Sequence, residues 1–305
     1  FHLFGVQIIN TTMSRLLDQI EVMLDSGTQA TVGFVNADCM NKCFGDEDYH
    51  QTLRKLDQVY PDGIGVRLAA QMFGNGVQDN INGTDLFPLL CERLAGTKKS
   101  IFLLGAREGV AEATARNMQE LYPGLIIAGV QHGYYSAEAE GDVIDAINAS
   151  GADVLLVAMG APAQEHWIAS RRGRLNVNML MGVGGLFDFY SGRISRAPVW
   201  LREVGMEWIW RLFQEPGRMW RRYVVGNPLF LYRVWAQRRR NGSVAHPMNT
   251  SPKNEAEVLD HFNKLNSSGS IRPRVLQARR VYWKWLRASG AVIKRMFDIG
   301  AGSIL

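Results

Sequence analysis

Pro61-Asp62-Gly63-Ile64-Gly65 places one carboxylate in a tight turn directly after the short apolar run Val59-Tyr60. At the carboxyl end of a strand such a side chain is displayed towards ligand, so Asp62 is a candidate general base, able to take the proton of an attacking hydroxyl. Pro-Asp-Gly is also a good β-turn in its own right, and that plainer reading stands beside the catalytic one. A second set of residues suits an anion. Gly105 follows Phe102-Leu103-Leu104, Gly160 follows Ala158-Met159, and Gly182, Gly184 and Gly185 follow Met179-Leu180-Met181. Glycine lets backbone amides approach phosphate while the next helix N-terminus adds partial positive charge, so a nucleotide diphosphate is the natural guest; tight strand-to-helix turns would use the same glycines.

Further polar residues cluster at similar positions. In Gly83-Thr84-Asp85, Thr84 or Asp85 is placed to cap the apolar helix Leu86–Leu94 and to offer amides to an anion, with simple capping as the alternative. Gln164 follows Gly160-Ala161-Pro162 at an expected helix start, with Pro162 in the first turn, and could bond a base or sugar edge; Glu165 there complements the helix dipole. His132-Gly133-Tyr134-Tyr135 reads as an aromatic loop after a strand and receives no catalytic role. Asp46-Glu47-Asp48 has the acidic spacing of some metal sites but reads as a solvated helix start, and with only His50 nearby no metal is predicted. No Walker A or GxGxxG fingerprint occurs, which argues against a dinucleotide oxidoreductase.

The elements that must hold these residues alternate from Thr31 to Asn178. Short β-rich runs at Thr31–Asn36, Ser100–Leu104, Leu125–Val130, Asp153–Met159 and Asn176–Val183 are separated by amphipathic stretches such as Glu108–Leu121 and Glu138–Ala149. Nearly continuous apolar runs, as in Val154 to Met159, suit strands covered on both faces. The expected body, residues 1–195, is a doubly wound, Rossmann-like α/β domain with a mostly parallel sheet. With 47% hydrophobic and 21% charged residues among 305, the chain is neither collagen-like nor wholly disordered. Its cysteines, Cys39, Cys43 and Cys91, are odd in number and lack zinc-ribbon spacing, so free thiols in a reducing compartment are expected. At the start, no basic n-region or long apolar run predicts a signal peptide or spanning helix.

The net charge of +5 conceals a partition: residues 193–240 carry +8 and residues 271–305 carry +7, leaving −10 for the remainder. From 196 to 240 an expected helical appendage places Trp200, Trp208, Trp210, Trp220 and Trp235 among arginines and no lysines, with Pro216 and Pro228 as helix starts or breaks. Amphipathic helices of this make-up favour the interface of an anionic membrane surface. Leu212, Phe213, Val224, Val225, Leu229, Phe230 and Leu231 are too apolar for a solvated groove, which argues against nucleic acid. Residues 241–270 read as a linker. Residues 271–305 carry Ile293-Lys294-Arg295-Met296-Phe297-Asp298 into an apolar run, as at the entrance of a membrane segment.

Taken in order, Asn36, Pro61-Asp62-Gly63-Ile64-Gly65, Gly83-Thr84-Asp85, His132-Gly133-Tyr134, Gly160-Ala161-Pro162-Ala163-Gln164-Glu165, Gly182 to Asp188, Arg196-Ala197-Pro198, Glu207-Trp208 and Arg211-Leu212 through Arg218 resemble the WecG/TagA/CpsF family of bacterial glycosyltransferases. The resemblance, over roughly Gly5 to Tyr232, implies an inverting transferase without metal or other cofactor. Such an enzyme moves a sugar from a UDP-sugar to a polyprenyl-diphosphate-linked saccharide at the cytoplasmic face of the inner membrane, in surface polysaccharide synthesis. It makes Asp62 the base, Asn36 an acceptor- or sugar-site residue, Gln164 and Asp188 nucleotide-sugar contacts, and Arg211, Arg218 and Arg221 the appendage cations facing the diphosphates. Phe34, where relatives often have Thr, and Asn80, where many have Arg, depart from that pattern. Residues 293–299 resemble the opening of bacterial polyprenyl-phosphate sugar-1-phosphate transferases, which implies a fused or associated membrane transferase. A non-catalytic module recruiting that transferase is the alternative.

Overall fold

The computed structural model describes residues 1–198, 201–202 and 205–241. Trp200, most of the expected linker and the segment 271–305 lie outside the described residues.

Six parallel strands form the central sheet, in the order β4-β3-β8-β7-β5-β6: β3 (Ala30–Val35), β4 (Gln58–Pro61), β5 (Ser100–Gly105), β6 (Ile126–Gln131), β7 (Val154–Ala158) and β8 (Met179–Gly182). Every residue of β3, β5, β7 and β8 is buried. The apolar runs therefore do what continuous hydrophobicity dictates in a parallel sheet, facing a helix layer on each side. On one face Val35, Val59, Leu104, Leu155, Val157 and Leu180 pack with α2 (Ala37–Lys42), α3 (Glu47–Lys55), α7 (Glu140–Ser150) and α8 (Ala163–Arg171). On the other, Val32, Phe34, Tyr60, Leu103, Leu156 and Met181 pack with α1 (Met13–Ser26), α5 (Gly83–Leu94), α6 (Val110–Leu121) and α9 (Leu186–Tyr190). α4 (Gly63–Met72) follows β4. The expected α/β body is present. Its strand limits differ from the sequence reading by one to three residues, most at β8, because residues 176–178 approach the sheet before pairing begins. A small antiparallel hairpin, β1 (His2–Leu3) with β2 (Val6–Gln7), was not legible in the sequence.

Residues 1–196 and the helices from Trp208 onward belong to one compact unit. Those helices are α10 (Glu207–Gln214), α11 (Pro216–Trp220), a π turn over Arg221–Val225, and α12 (Gly226–Asn241). Pro216 stands at the first turn of α11, as expected. Pro228 does not break the helix. It has no N–H to give to a carbonyl four residues back, and the π turn directly ahead of it takes up the altered hydrogen bonding, with the Gly226 N–H donated five residues back to Arg221. Phe230 and Val234 are fully buried and complete the first core face, each contributing roughly 1.5–3 kcal/mol. Residues 197–207 cluster apart from this unit; within them Leu201 and Arg202 donate backbone N–H groups to Pro198.

Candidate active site

Val35 and Pro61 are paired in register at the ends of adjacent strands, so the next residues, Asn36 and Asp62, leave the sheet side by side. Asn36 is the N-cap of α2: its Oδ1 accepts from the backbone N–H of Asp38 at 3.1 Å and of Cys39 at 3.2 Å. That fixes the amide and turns its Nδ2 towards Asp62, 3.4 Å from Oδ2. Asp62 begins α4 but makes no capping bond with its own side chain. Asn80 performs that task from across the loop, its Oδ1 accepting the Gly63 N–H at 2.6 Å. Gly63 has φ +84°, a left-handed conformation that favours glycine, so Pro-Asp-Gly is both a specified turn and a mount for the carboxylate. The N-terminus of α4 places partial positive charge beside Asp62. The result is a half-buried carboxylate beside a fixed amide, a geometry suited to accepting a proton from a hydroxyl.

α2 continues into a second function. Asp38 Oδ2 receives Lys42 Nζ at 2.9 Å and lies 3.6 Å from Arg222 Nε in the π turn. Lys42 Nζ also donates to the Ala161 carbonyl at 2.8 Å, and Asn41 Nδ2 to the Gly226 carbonyl at 2.7 Å. Arg233 of α12 bonds both the backbone oxygen and the Oδ1 of Asn41 and stacks on Phe44 at 4.2 Å. Burial works against the charge of Arg222. The acidic groups around it, Tyr223, Asp38, Cys39 and Asp62, outweigh that and hold the guanidinium above its ordinary pKa. Arg222 is thus an appendage arginine close enough to Asp62 to feel its charge. Arg221, expected to face the diphosphates, is instead exposed and stacked on Trp220 at 5.5 Å. Two adjacent arginines cannot be told apart by sequence spacing when a π turn shifts the register by one residue.

At the ends of β7 and β8, Gln164 is nearly inaccessible. Its Oε1 accepts both the Gly160 N–H at 3.1 Å and the Gly184 N–H at 2.8 Å, and its Nε2 donates to Glu165 Oε1 at 2.7 Å. In this structure the Gln164 amide is engaged within the protein, and the N–H groups of Gly160 and Gly184 both donate to it. Glu165 is buried, which raises its pKa against the lowering effects of Gln164, its own backbone and Lys42. Pro162 lies just ahead of α8, as N-cap, and not inside its first turn. Gly105 is required for packing, because a Cβ there would come within 2.4 Å of the Ala158 carbonyl oxygen. Gly185 lies open beside Asp188 and Arg211, with a built Cβ 3.7 Å from Asp188 Oδ2 and 3.4 Å from Arg211 Nη2.

Cations gather here. Arg193 Nε binds Asp188 Oδ1 at 2.8 Å, and Glu215 collects Arg193 at 4.0 Å, Arg211 at 4.0 Å and Arg218 at 3.5 Å. Arg211 also lies over the Phe189 ring, 5.1 Å from its centre. Of the three expected appendage cations, Arg211 and Arg218 therefore share one network with Asp188, while Arg193 and Glu215 belong to it and were missed. Neither had a motif of its own.

The Gly83-Thr84-Asp85 expectation needs correction. The α5 cap is Asn82, which accepts the Asp85 N–H at 2.8 Å and donates to its carboxylate at 2.8 Å. Asp85 also binds Arg196 at 2.7 Å, and the Thr84 carbonyl accepts the Tyr190 hydroxyl at 2.6 Å. Asp46 caps α3, as read from the sequence. Phe34 is buried against Tyr60. Beyond β5 and β6, Arg107, Glu108, His132 and Tyr134 line a hollow of about 360 Å³.

A carboxylate at one strand end and an arginine network two strands away lie at the carboxyl edge of a parallel sheet in an α/β fold, where such folds place their ligands. The chain belongs to the glycosyl transferase WecG/TagA/CpsF family, whose profile it matches over residues 1–243, and it is a glycosyltransferase. It is similar to an N-acetylglucosaminyldiphosphoundecaprenol N-acetyl-beta-D-mannosaminyltransferase of Bacillus subtilis (strain 168), 32% identical over 219 residues, which are 72% of this chain and 84% of that protein. A protein of the same name from Staphylococcus aureus (strain MW2) is 28% identical over 240 residues, 78% of this chain and 93% of that one.

Proposed function

We propose that this glycosyltransferase moves a sugar from a UDP-sugar to a polyprenyl-diphosphate-linked sugar, by single displacement with inversion. The observation that carries the reading is the Asn36–Asp62 pair at neighbouring strand ends. Asp62 accepts the proton of the acceptor hydroxyl as that oxygen bonds to the anomeric carbon and the bond to UDP breaks on the opposite face. Asn36 keeps the carboxylate turned to the hydroxyl. The electron pair leaves with UDP, and Arg211, next to Gly185 and Asp188, is placed to take up that charge, so the reaction is assigned no metal. The activity for which the relatives are named, transfer onto a diphosphoundecaprenol-linked sugar, supports this choice of acceptor class.

A membrane role draws support from the outer face of the appendage. Trp220, Val224, Val225, Leu229 and Tyr232 are exposed at helical spacing beside the exposed Arg221, while Met219, Phe230 and Val234 on the same helices are buried. Among the described residues no helix is long and apolar enough to cross a membrane. The exposed Trp, aliphatic and Arg face supports an interfacial helix, proposed to lie on the cytoplasmic side. A fused or associated membrane sugar-phosphate transferase, and a place in surface polysaccharide synthesis, complete the proposal. The test is incubation with a panel of UDP-sugars and lipid-diphosphate saccharides and product analysis by mass spectrometry. A product one sugar heavier is expected; no product with any pair, with nucleotide still bound, would favour the recruitment-module alternative.

A further inference from the structure

The geometry points to Arg222 as the group that binds the diphosphate of the lipid-linked acceptor, with Asp38 as its positioning residue; this rests on the acceptor class proposed above. Asp38 holds two cations, Lys42 at 2.9 Å and Arg222 at 3.6 Å, so the cluster carries a net positive charge beside Asn36 and Asp62. Asp38 is itself placed by Asn36, which accepts its backbone N–H and, through its other end, faces Asp62. One residue pair thus fixes both the base and the carboxylate that steers Arg222.

The direction of the helix supplies the rest. Arg221, Val224 and Val225 of the π turn are exposed, whereas Arg222 turns inward to α2. A lipid-linked sugar whose hydroxyl reaches Asp62 carries its diphosphate one sugar ring away, towards the lipid. Arg222 belongs to the same turn as the proposed membrane-facing Val224 and Val225 and pairs inward with Asp38 of the helix that Asn36 caps, so a diphosphate reaching from that face towards Asp62 would meet it. A planar guanidinium offers phosphate paired donors that Lys42, already bonded to Asp38 and the Ala161 carbonyl, does not have available in the same geometry. The anchors Asn41–Gly226 and Asn41–Arg233 keep this part of the appendage in register with α2.

The test uses the full chain with Arg222→Gln, Arg222→Lys, Asp38→Asn and the Asp38→Asn/Arg222→Gln double variant. Two acceptors are compared, the lipid-diphosphate sugar and the lipid-monophosphate sugar. Arg222→Gln is expected to raise KM for the diphosphate acceptor at least about tenfold, to shrink the preference over the monophosphate, and to leave donor KM and vesicle binding within about threefold. Arg222→Lys should restore part of the loss. Asp38→Asn should reproduce part of it, and the double variant should be no worse than Arg222→Gln by more than about twofold. An unchanged diphosphate preference in Arg222→Gln, or fully multiplicative losses in the double variant, overturns the assignment. Should Arg222→Gln not fold, as judged by thermal unfolding, Arg222→Lys and Asp38→Asn decide by the same preference ratio. A wild-type enzyme inactive on every lipid-diphosphate sugar overturns the acceptor reading itself and this assignment with it, an outcome distinct from a variant-specific failure.

Discussion

Asn80 Oδ1 accepts the backbone N–H of Gly63 at 2.6 Å, doing from another loop what an N-cap residue ordinarily does for its own helix. The consequence is that Asp62 starts α4 without spending its carboxylate on the helix. Asn80→Ala should therefore hurt chemistry more than folding. Loss of a cap bond costs about 1 kcal/mol, whereas kcat should fall by about tenfold or more as Asp62 turns to the orphaned amides. Thermal unfolding and steady-state kinetics on the same preparation separate the two effects; a change in stability with kcat intact would remove Asn80 from the site.

Glu165 gives a pH signature. Burial holds its folded pKa above the ordinary glutamate value, so the folded state binds the proton more tightly than the unfolded one. The stability linked to that proton is complete below the ordinary value and is lost as pH rises through the folded one. Glu165→Gln preserves an acceptor for Gln164 and removes the titration. Unfolding curves from about pH 4 to about pH 8 should show the variant gaining on the wild type as pH rises; parallel profiles would contradict the buried, proton-holding carboxyl.

The two faces of the appendage should respond oppositely. Phe230→Ala opens the core and should cost about 3–5 kcal/mol. Val225→Asp on the exposed side should leave the melting temperature within about 2 °C while weakening flotation with anionic vesicles and turnover on lipid acceptors together. Vesicle binding unaffected by Val225→Asp and by Arg221→Gln would refute the interfacial role.

The thiols form an internal control on packing. Burial raises Cys39 to about 11 and Cys43 and Cys91 to about 12, so none is a thiolate near neutrality. Native protein should resist alkylation at neutral pH and label at all three positions once unfolded; rapid labelling of one in the native state would show that its core region opens.

The parallel body was readable because continuous apolar runs such as Val154 to Ala158 admit few other placements, and the strand-end position of Asp62 was readable because the apolar run Val59-Tyr60 precedes it. What escaped depends on contacts distant in sequence. The role of Asn80 is visible only when its loop meets Gly63. Gln164 reads from the sequence as a base- or sugar-edge contact; that it ties two glycine loops depends on a pairing across 20 residues, from Gln164 to Gly184. That Arg222 turns to α2 while Arg221 is exposed follows from the π turn over Arg221–Val225, which has no sequence mark beyond Pro228. The capping signal read at Thr84 and Asp85 belongs to Asn82, two residues before Thr84.

The most direct measurement is turnover by Asp62→Asn with a UDP-sugar and a lipid-diphosphate acceptor, alongside UDP affinity measured by calorimetry. A general base accounts for factors of about 10²–10⁴, so the rate should fall by at least about a hundredfold while the affinity for UDP stays within about threefold. A variant that keeps a rate within about threefold of the wild type would contradict the assignment of Asp62 as the proton acceptor.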